Sequence, residues 1–549
     1  MDAHRGPVAG VRPVGSDPTR RRWRALTYGV PLAFLALFFA YPLASILERG
    51  LGSGENVPSP LNVLTDPLTR EVAWFTLWQA VASTALTVAV ALPTSYVLGR
   101  YTFRGRSVAV AAVTLPFVLP TVVVALAFLA VLPEGLQRGW AAILIAHVFF
   151  NVAVVVRVVG TFWAGLDPRV SEAAATLGAS PARSFREVTL PLLAPALASA
   201  ASIVFLFSFT SFGIVLILGG PRYSTLETEI YNQAVRMFDL RTAAILALVQ
   251  LVCVALAVWA ATHLEQRLAL GGQRRSERTV LRPFRTRREK AFAAASLGSL
   301  AIFLGIPLTV LVERSLAIGD GYSLEAYRAL GRPTDALLAT PWEAVVNSVV
   351  YAAGAAVIAL VVGGLAAFAV AGSRGGGTRL LDGSLMLPLG ASAVMLGFGF
   401  VIAFDTEPID FRSSPWIVPV VQALVAIPFV VRIVAPTLRA IDQRQREAAA
   451  VLGASPGRVR REIDLPVAGR ALGVAAGFAF AISLGEFGAT VFLARPDSPT
   501  LPVAIFRFLG RPGELNSGQA YALAVILMAV VGLSVFSIER IRALRTGWV

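Results

Sequence analysis

Apolar segments long enough to cross a lipid bilayer recur along the whole chain, and they constrain its fold more than any other feature. Of the 549 residues, 56% are hydrophobic and 15% are charged, whereas soluble globular proteins carry about 25% charged residues. The polar side chains are too few to cover a soluble body of this size. A helix needs about 20 apolar residues to span the hydrocarbon core. We therefore expect an all-α polytopic membrane protein with about twelve transmembrane helices, near 25–47, 73–98, 107–132, 140–163, 193–219, 242–262, 291–313, 343–371, 381–404, 415–438, 468–494 and 518–537.

A polar segment occurs twice in this apolar sequence. EAAATLGASPARSFREVTLP (172–191) and EAAAVLGASPGRVRREIDLP (447–466) agree at 14 of 20 positions without a gap. SFGIV (211–215) and EFGAT (486–490) are separated along the chain by the same distance as Glu172 and Glu447, and we call this separation the repeat spacing. Self-similarity at a fixed spacing indicates a duplication. The sequence therefore predicts two homologous halves of six helices each.

Basic residues mark the segments between and around these halves. Short loops rich in Lys and Arg lie on the cytoplasmic side of a membrane, so we expect both termini and both repeated segments in the cytoplasm. The net charge of +15 is explained by this orientation, and a nucleic-acid partner is not expected. The resulting domains are a basic N-terminal segment (1–24), a first half (25–263) with its repeated loop at 168–191, a basic linker (264–290), a second half (291–540) with its repeated loop at 443–466, and a tail (541–549).

Each repeated segment predicts a helix, a turn and a second helix. The opening EAAA favours a helix, and Gly178 and Gly453 relax the backbone after it. Ser followed by Pro then supplies a cap and the first residue of a new helix. Small alanines beside a fixed carboxylate suit a projection that inserts into a groove of a partner. An interfacial amphipathic helix would explain one copy, but it gives no reason for two copies at equivalent places.

The pattern E-A-A-x3-G-x9-[IV]-x-L-P resembles the EAA loop of bacterial ABC importer permeases. The pattern is met by Glu172, Ala173, Ala174, Gly178, Val188, Leu190 and Pro191, and again by Glu447, Ala448, Ala449, Gly453, Ile463, Leu465 and Pro466. In that family the loop forms the coupling helix that docks on the ATP-binding subunit. The resemblance extends over both halves. It implies a fused two-half permease of the type I importer kind, in the inner (plasma) membrane of a bacterium.

The same resemblance implies the partners and the residues that contact them. A dimer of ABC ATPase subunits would sit beneath the two loops, and a periplasmic or lipid-anchored binding protein would deliver the cargo. The residues expected to couple to the ATPase are Glu172, Ala173, Ala174, Gly178, Pro191, Glu447, Ala448, Ala449, Gly453 and Pro466.

The chain itself lacks the residues for ATP binding of the phosphate-loop kind. Such a loop, GxxxxGK[ST], requires a lysine between glycine and a hydroxyl residue, and the single lysine, Lys290, stands in RREKAF. ATP would therefore be bound by the partner subunit, and the resemblance to permeases implies no cofactor, no catalytic residue and no enzymatic activity on this chain. The three histidines, His4, His147 and His263, have no neighbour at ligand spacing, and no metal site is expected.

Fused permeases of this length resemble two importer groups, those for thiamine and those for ferric iron. The stretch 209–235 carries LGGP, TLE and IY in the order of the thiamine type. Ferric-iron permeases more often show an acidic EFG-like element in both halves, whereas Ser211 stands at that place in the first half. Thiamine is the leading expectation, and ferric iron is the alternative. An ion-coupled secondary transporter built from two repeats is a more distant alternative, which does not explain two EAA loops.

Glu486 is an acid inside an apolar segment, and placing a charge there costs about 2.5–3.5 kcal/mol on insertion scales. Two interpretations stay open. The carboxylate lines the path of the cargo, or it bonds to a helix end. Ser208, Thr210 and Ser211 occupy the related place in the first half. They are candidates for the same path, or they form hydrogen bonds between helices. The expected mechanism is alternating access, in which each ligand shifts the balance of states through its differential affinity.

Overall fold

A computed structural model describes residues 18–52, 59–268, 281–319, 321–372, 375–405, 411 and 414–546. These residues are almost entirely helical, and one small antiparallel hairpin pairs Ala317–Ile318 with Gly321–Tyr322. The expected all-α polytopic fold is confirmed. Ten helices within the described ranges are long and apolar enough to cross a membrane, and two bent helix pairs raise that number to as many as twelve.

The first half contains the helices Pro18–Leu35, Tyr41–Leu51, Pro60–Thr65, Pro67–Arg100, Arg106–Val118, Thr121–Val131, Trp140–Ala164, Pro168–Thr176, Pro181–Ser184, Leu190–Phe209, Gly213–Leu218, Leu226–Tyr231 and Leu240–Leu268. The second half contains Arg287–Leu316, Glu325–Ala329, Pro341–Gly372, Gly376–Gly390, Ala393–Ala403, Ile417–Arg439, Gln443–Val451, Pro456–Val459, Leu465–Gly485, Thr490–Leu493, Leu501–Leu509 and Glu514–Thr546. A 3₁₀ turn covers Glu134–Leu136, and π-helical turns cover Ala36–Ala40, Phe185–Thr189, Asn232–Arg236 and Arg460–Asp464.

The segments expected as single helices at 107–132 and 381–404 are both broken. Arg106–Val118 and Thr121–Val131 meet at an angle of 99°, and the corresponding pair in the second half bends by 93°. In the first half the break falls at Leu119 and Pro120. A proline lacks the N–H that a continuing helix needs, and it disfavours helical geometry in the residue before it. The expected spans at these two places stand as bent pairs, and the sequence analysis did not place the breaks, because proline within an apolar run is also compatible with an unbroken membrane helix.

The segments expected at 193–219 and 468–494 are also interrupted, and at matched positions. Pro181–Ser184, the π-helical turn Phe185–Thr189 and Leu190–Phe209 form one continuous helical span. This span ends at Phe209, and a short helix follows at Gly213–Leu218. In the second half the long helix ends at Gly485, and Thr490–Leu493 follows. The breaks at 210–212 and 486–489 thus stand at the same place in the two halves.

The first helix of each half packs across the other half. The first span, Ala25–Leu51, runs through two helices and the π-helical turn between them, and it packs against Pro341–Gly372 and Ala393–Ala403 of the second half. The rings of Phe38 and Phe400 are stacked there, with 6.2 Å between their centroids. Reciprocally, Arg287–Leu316 packs on Thr121–Val131 and Pro67–Arg100 of the first half. One continuous apolar core therefore joins the two halves.

The described end of the linker docks on the first half. Arg282 N donates to Arg100 O at 3.2 Å, and Thr102 N donates to Arg282 O at 3.0 Å. The ring of Phe284 lies 4.6 Å from that of Tyr101. Residues 1–17, 269–280 and 547–549 lie outside the described residues, so the boundaries 1–24, 264–290 and 541–549 stay predictions.

Candidate functional site

Both EAA loops begin with a helix that an aspartate caps. The Asp167 carboxylate accepts the Arg169 N–H at 3.1 Å at the start of Pro168–Thr176. The Asp442 carboxylate accepts the Arg444 N–H at 2.9 Å at the start of Gln443–Val451. An acceptor at this position satisfies a backbone donor that has no partner within the helix. The two loops are therefore fixed in the same way at their first turn.

The turn after each helix depends on its glycine. Gly178 has φ +84° and Gly453 has φ +82°, a left-handed conformation that costs other residues about 1–2 kcal/mol. Across the turn, Ala179 N donates to Ala174 O at 3.0 Å, and the matched bond in the second copy is 2.9 Å long. These bonds close the helix end in a Schellman motif. An added Cβ on either glycine would meet nothing within 4 Å, so backbone conformation and not space requires glycine.

The second helix of each loop starts as the sequence predicted. Ser180 accepts the Arg183 N–H at 3.3 Å, and Ser455 accepts the Arg458 N–H at 3.4 Å, with proline as the first helical residue in both copies. One turn later an exposed ion pair follows each cap, Arg183 with Glu187 and Arg458 with Glu462. The predicted helix–turn–helix is confirmed in both copies.

The predicted coupling residues form two matched surfaces. The side chains of Glu172, Ala173, Glu447 and Ala448 are exposed, whereas Ala174 and Ala449 are half-buried. Gly178, Gly453, Pro191 and Pro466 are also exposed. Neither glutamate makes a side-chain hydrogen bond or an ion pair with any residue that the structure describes. Both carboxylates are therefore available to a partner.

Two leucines that the sequence reasoning missed complete these surfaces. Leu177 is 88% exposed and Leu452 is 87% exposed, each directly before the glycine of its loop. A leucine gains about 1.5–3 kcal/mol when it is fully removed from water. The signal was present in the sequence, because the same large apolar residue stands at the same place of both polar segments.

The two loops differ in how they are held to their own half. In the second loop, Arg446 Nε lies 2.9 Å from Asp464 Oδ1, and Arg446 Nη2 donates to Leu438 O at 3.3 Å. The matched positions in the first loop are Ser171 and Thr189. The Ser171 hydroxyl instead donates to Pro168 O within its own helix, at 2.8 Å. The Arg446–Asp464 ion pair therefore joins the first helix of the second loop to its closing π-helical turn, and the residues at the matched positions of the first loop cannot form such a pair.

Glu486 caps the short helix after the break in the second half. Its Oε1 accepts the Ala489 N–H at 2.7 Å, and its Oε2 accepts the Thr490 N–H at 3.0 Å. The side chain is buried. The structure thus shows the helix-end bonding that was one of the two interpretations of this acid. Its role on the cargo path stays a prediction.

Two of the three related residues in the first half belong to a buried polar cluster. His147 bridges two hydroxyls, with Nε2 2.8 Å from Ser211 Oγ and Nδ1 3.0 Å from Ser83 Oγ. Asn151 Nδ2 donates to Ser208 Oγ at 3.4 Å. Thr210 lies apart from these contacts, because its hydroxyl donates to Leu206 O in its own helix. The cluster therefore anchors the break in the first half through Ser208 and Ser211.

No group of three or more His, Cys, Asp or Glu side chains within the described ranges is arranged to hold a metal ion. The features of the site are thus two matched, exposed loops and two matched helix breaks inside a membrane bundle. Two matched halves with broken helices inside a membrane bundle are typical of a membrane transport subunit.

Comparison with known proteins agrees with this class. Residues 91–270 and 327–546 each match the family described as binding-protein-dependent transport system inner membrane component. The chain belongs to this family, with two family domains in one polypeptide. It is a multi-pass inner membrane protein.

Several curated relatives share most of its length. The thiamine transport system permease protein ThiP of Brucella abortus is 29% identical over 520 residues, which cover 91% of this chain and 92% of the relative. ThiP of Escherichia coli is 27% identical over 506 residues, which cover 87% of this chain and 90% of the relative. A putative 2-aminoethylphosphonate transport system permease protein, PhnV of Salmonella paratyphi A, is 30% identical over 44% of this chain.

Proposed function

We propose that this chain is the permease subunit of an ATP-driven importer for thiamine. The observation that carries the proposal is the similarity to two thiamine permeases over about nine tenths of both chains. The similarity to the aminoethylphosphonate permease covers less than half of this chain. A match that includes both halves and their junction supports thiamine over the cargo of a single-half relative.

The two EAA loops are the proposed contacts with a separate dimer of ATPase subunits. Each loop would place its glutamate and its exposed leucine in a groove of one ATPase subunit, with Glu172 and Leu177 in the first and Glu447 and Leu452 in the second. This arrangement puts the loops and both termini in the cytoplasm, and the basic residues around them support that orientation. No ATP site and no other cofactor site is proposed on this chain.

The proposed cycle is alternating access. A binding protein on the opposite side delivers the cargo, and ATP binding draws the two ATPase subunits and therefore the two loops together. Because both halves interlock through their first helices, movement of the loops changes the contact between the halves. Ser208, Thr210, Ser211 and Glu486 are proposed to border the path, since they stand at the two helix breaks.

Uptake in cells that lack their own thiamine importer and thiamine synthesis tests the cargo. The chain would be expressed with a candidate ATPase and a candidate binding protein from the same organism, and uptake of labelled thiamine would be measured at nanomolar concentration. We expect uptake that unlabelled thiamine abolishes and that a tenfold excess of ferric citrate leaves unchanged. Uptake of labelled ferric iron without uptake of thiamine would contradict the proposal and favour the ferric-iron importer.

A further inference from the structure

Two aromatic residues at equivalent places in the halves contact each other. Phe212 and Phe487 are separated in the sequence by the repeat spacing, which also relates the two EAA loops. Their ring centroids are 5.4 Å apart, with an angle of 33° between the planes. A residue touches its own symmetry counterpart only when both lie at the axis that relates the halves. The contact therefore marks the pseudo-two-fold axis of the molecule.

A second matched pair surrounds the first. Tyr231 and Phe506 are also separated by the repeat spacing, and their centroids are 6.5 Å apart. Within the first half, Phe212 lies 5.6 Å from Tyr231, and within the second half, Phe487 lies 5.6 Å from Phe506. These four side chains, Phe212, Tyr231, Phe487 and Phe506, form what we call the axial ring cluster.

The axial ring cluster closes the space between the halves in this structure. Phe212 and Phe487 are buried, and ring contacts of about 5–7 Å leave no opening for a small organic molecule between them. The glycine after Phe212 permits this approach, because a Cβ on Gly213 would lie 3.3 Å from the Phe487 ring and 2.5 Å from Thr121 Oγ1. The glycine after Phe487 permits close packing within the second half, because a Cβ on Gly488 would lie 3.0 Å from the Ala393 Cβ.

We propose that the axial ring cluster is the constriction of the translocation path, and that it is closed in this structure. Transporters built from two repeats place their cargo sites at the interface between the repeats, and apolar constrictions close such paths by excluding water. Phe212 and Phe487 each lie in a break between two helices. The rings can therefore separate when the halves rotate, without melting a long helix.

The two sides of the constriction are anchored by different bonds. Ser211, directly before Phe212, contacts His147, which also contacts Ser83 on the helix Pro67–Arg100. Glu486, directly before Phe487, is bonded to the backbone of its own short helix. The first phenylalanine is thus tied to a neighbouring transmembrane helix, and the second to its own break.

Reversible cross-linking across the axis tests the proposal. The single native cysteine would first be removed by Cys253→Ala. Phe212→Cys and Phe487→Cys would then be joined by a short, reducible bis-methanethiosulfonate reagent. The matched control joins Phe38→Cys to Phe404→Cys, whose ring centroids are 6.0 Å apart outside the axial ring cluster. Phe38 lies on the first span, which packs against the second half, so this cross-link joins elements that are expected to move together. Transport would be measured in proteoliposomes with the ATPase and the binding protein.

Cross-linking at Phe212 and Phe487 should lower uptake at least tenfold, and a reductant should restore it. The cross-link between Phe38→Cys and Phe404→Cys should leave uptake within about twofold of the rate before cross-linking. Full uptake by the Phe212–Phe487 cross-linked protein would overturn the proposal. If the double cysteine variant fails to transport before cross-linking, the pair Tyr231→Cys and Phe506→Cys carries the same test with the same two outcomes.

A second readout separates this proposal from the choice of cargo, because the proposal rests on the proposed importer function but not on thiamine. Phe212→Cys would be labelled with a water-soluble thiol reagent, with and without trapping of the ATPase by vanadate. Labelling should rise at least fivefold in the trapped state. Equal labelling in both states would contradict a constriction that opens, even if the wild-type protein imports a cargo other than thiamine.

Discussion

Leu177 and Leu452 are the matched apolar tips of the two EAA loops, separated by the repeat spacing and exposed to 88% and 87%. A large apolar side chain held in water at both copies of a polar loop points to a partner that covers it. Together with Glu172 and Glu447, whose carboxylates are exposed and unpaired among the described residues, the two leucines support the proposal of two equivalent docking points for an ATPase dimer.

The double variant Leu177→Ser and Leu452→Ser should weaken association with the ATPase subunits and leave folding intact. Full burial of each leucine in the partner contributes about 1.5–3 kcal/mol, so we expect at least a tenfold loss of affinity. Co-purification and equilibrium binding in detergent would measure it. Leu338→Ser is the control, since Leu338 is exposed to 82% outside the EAA loops. Unchanged affinity in the double variant would contradict the docking role.

Replacement of Gly178 should separate backbone conformation from side-chain volume. Gly178→Ala forces a Cβ into a left-handed conformation at a cost of about 1–2 kcal/mol, whereas Gly178→Asn tolerates that conformation better. We expect stimulated ATP hydrolysis to fall in the alanine variant and to be largely retained in the asparagine variant. Equal losses in both variants would show that the glycine is needed for close approach of the partner instead.

The ion pair of Arg446 with Asp464 should make the second loop more rigid than the first. Arg446→Ala leaves the largely buried Asp464 carboxylate without this partner, at a cost of about 1–3 kcal/mol. Amide hydrogen exchange should therefore accelerate over 443–464 and stay unchanged over 168–189. Arg458→Ala is the matched control, because its pair with Glu462 is exposed and contributes about 0.5 kcal/mol or less. Equal effects of the two variants would contradict this assignment.

His147 should hold Phe212 in place through Ser211. His147→Ala leaves the buried Ser83 and Ser211 hydroxyls without this bridge, at about 1–3 kcal/mol, and should raise the ATP hydrolysed for each molecule imported. A glutamine amide offers both a donor and an acceptor to the same two hydroxyls, so His147→Gln should restore much of the coupling. A loss of thermal stability with unchanged coupling would reduce His147 to a packing role.

The sequence predicted much of this architecture for physical reasons that can be named. The twelve apolar segments, the duplication and the helix–turn–helix around Gly178 and Gly453 each follow from composition, spacing or cap chemistry. The breaks at 119–120, 210–212 and 486–489 were missed, because a proline or a polar side chain within a long apolar run is also compatible with an unbroken membrane helix. The exposed Leu177 was also missed, since an apolar residue in an amphipathic helix is normally expected to face inward.

Contacts between segments distant in the sequence could not be predicted in the same way. The bridge from Ser83 through His147 to Ser211 joins residues from three separate segments, and nothing in their local sequence relates them. The meeting of Phe212 with Phe487 is different. The repeat spacing identifies them as counterparts, but only the fold shows that both lie at the axis.

Uptake by the reconstituted protein tests the central claim most directly. Proteoliposomes would contain the chain, its binding protein and ATP, with the ATPase subunits either present or omitted. We predict accumulation of labelled thiamine when the ATPase is present, and none above the empty-liposome background when it is omitted. Accumulation without the ATPase, driven by an ion gradient, would contradict the account and favour a secondary transporter.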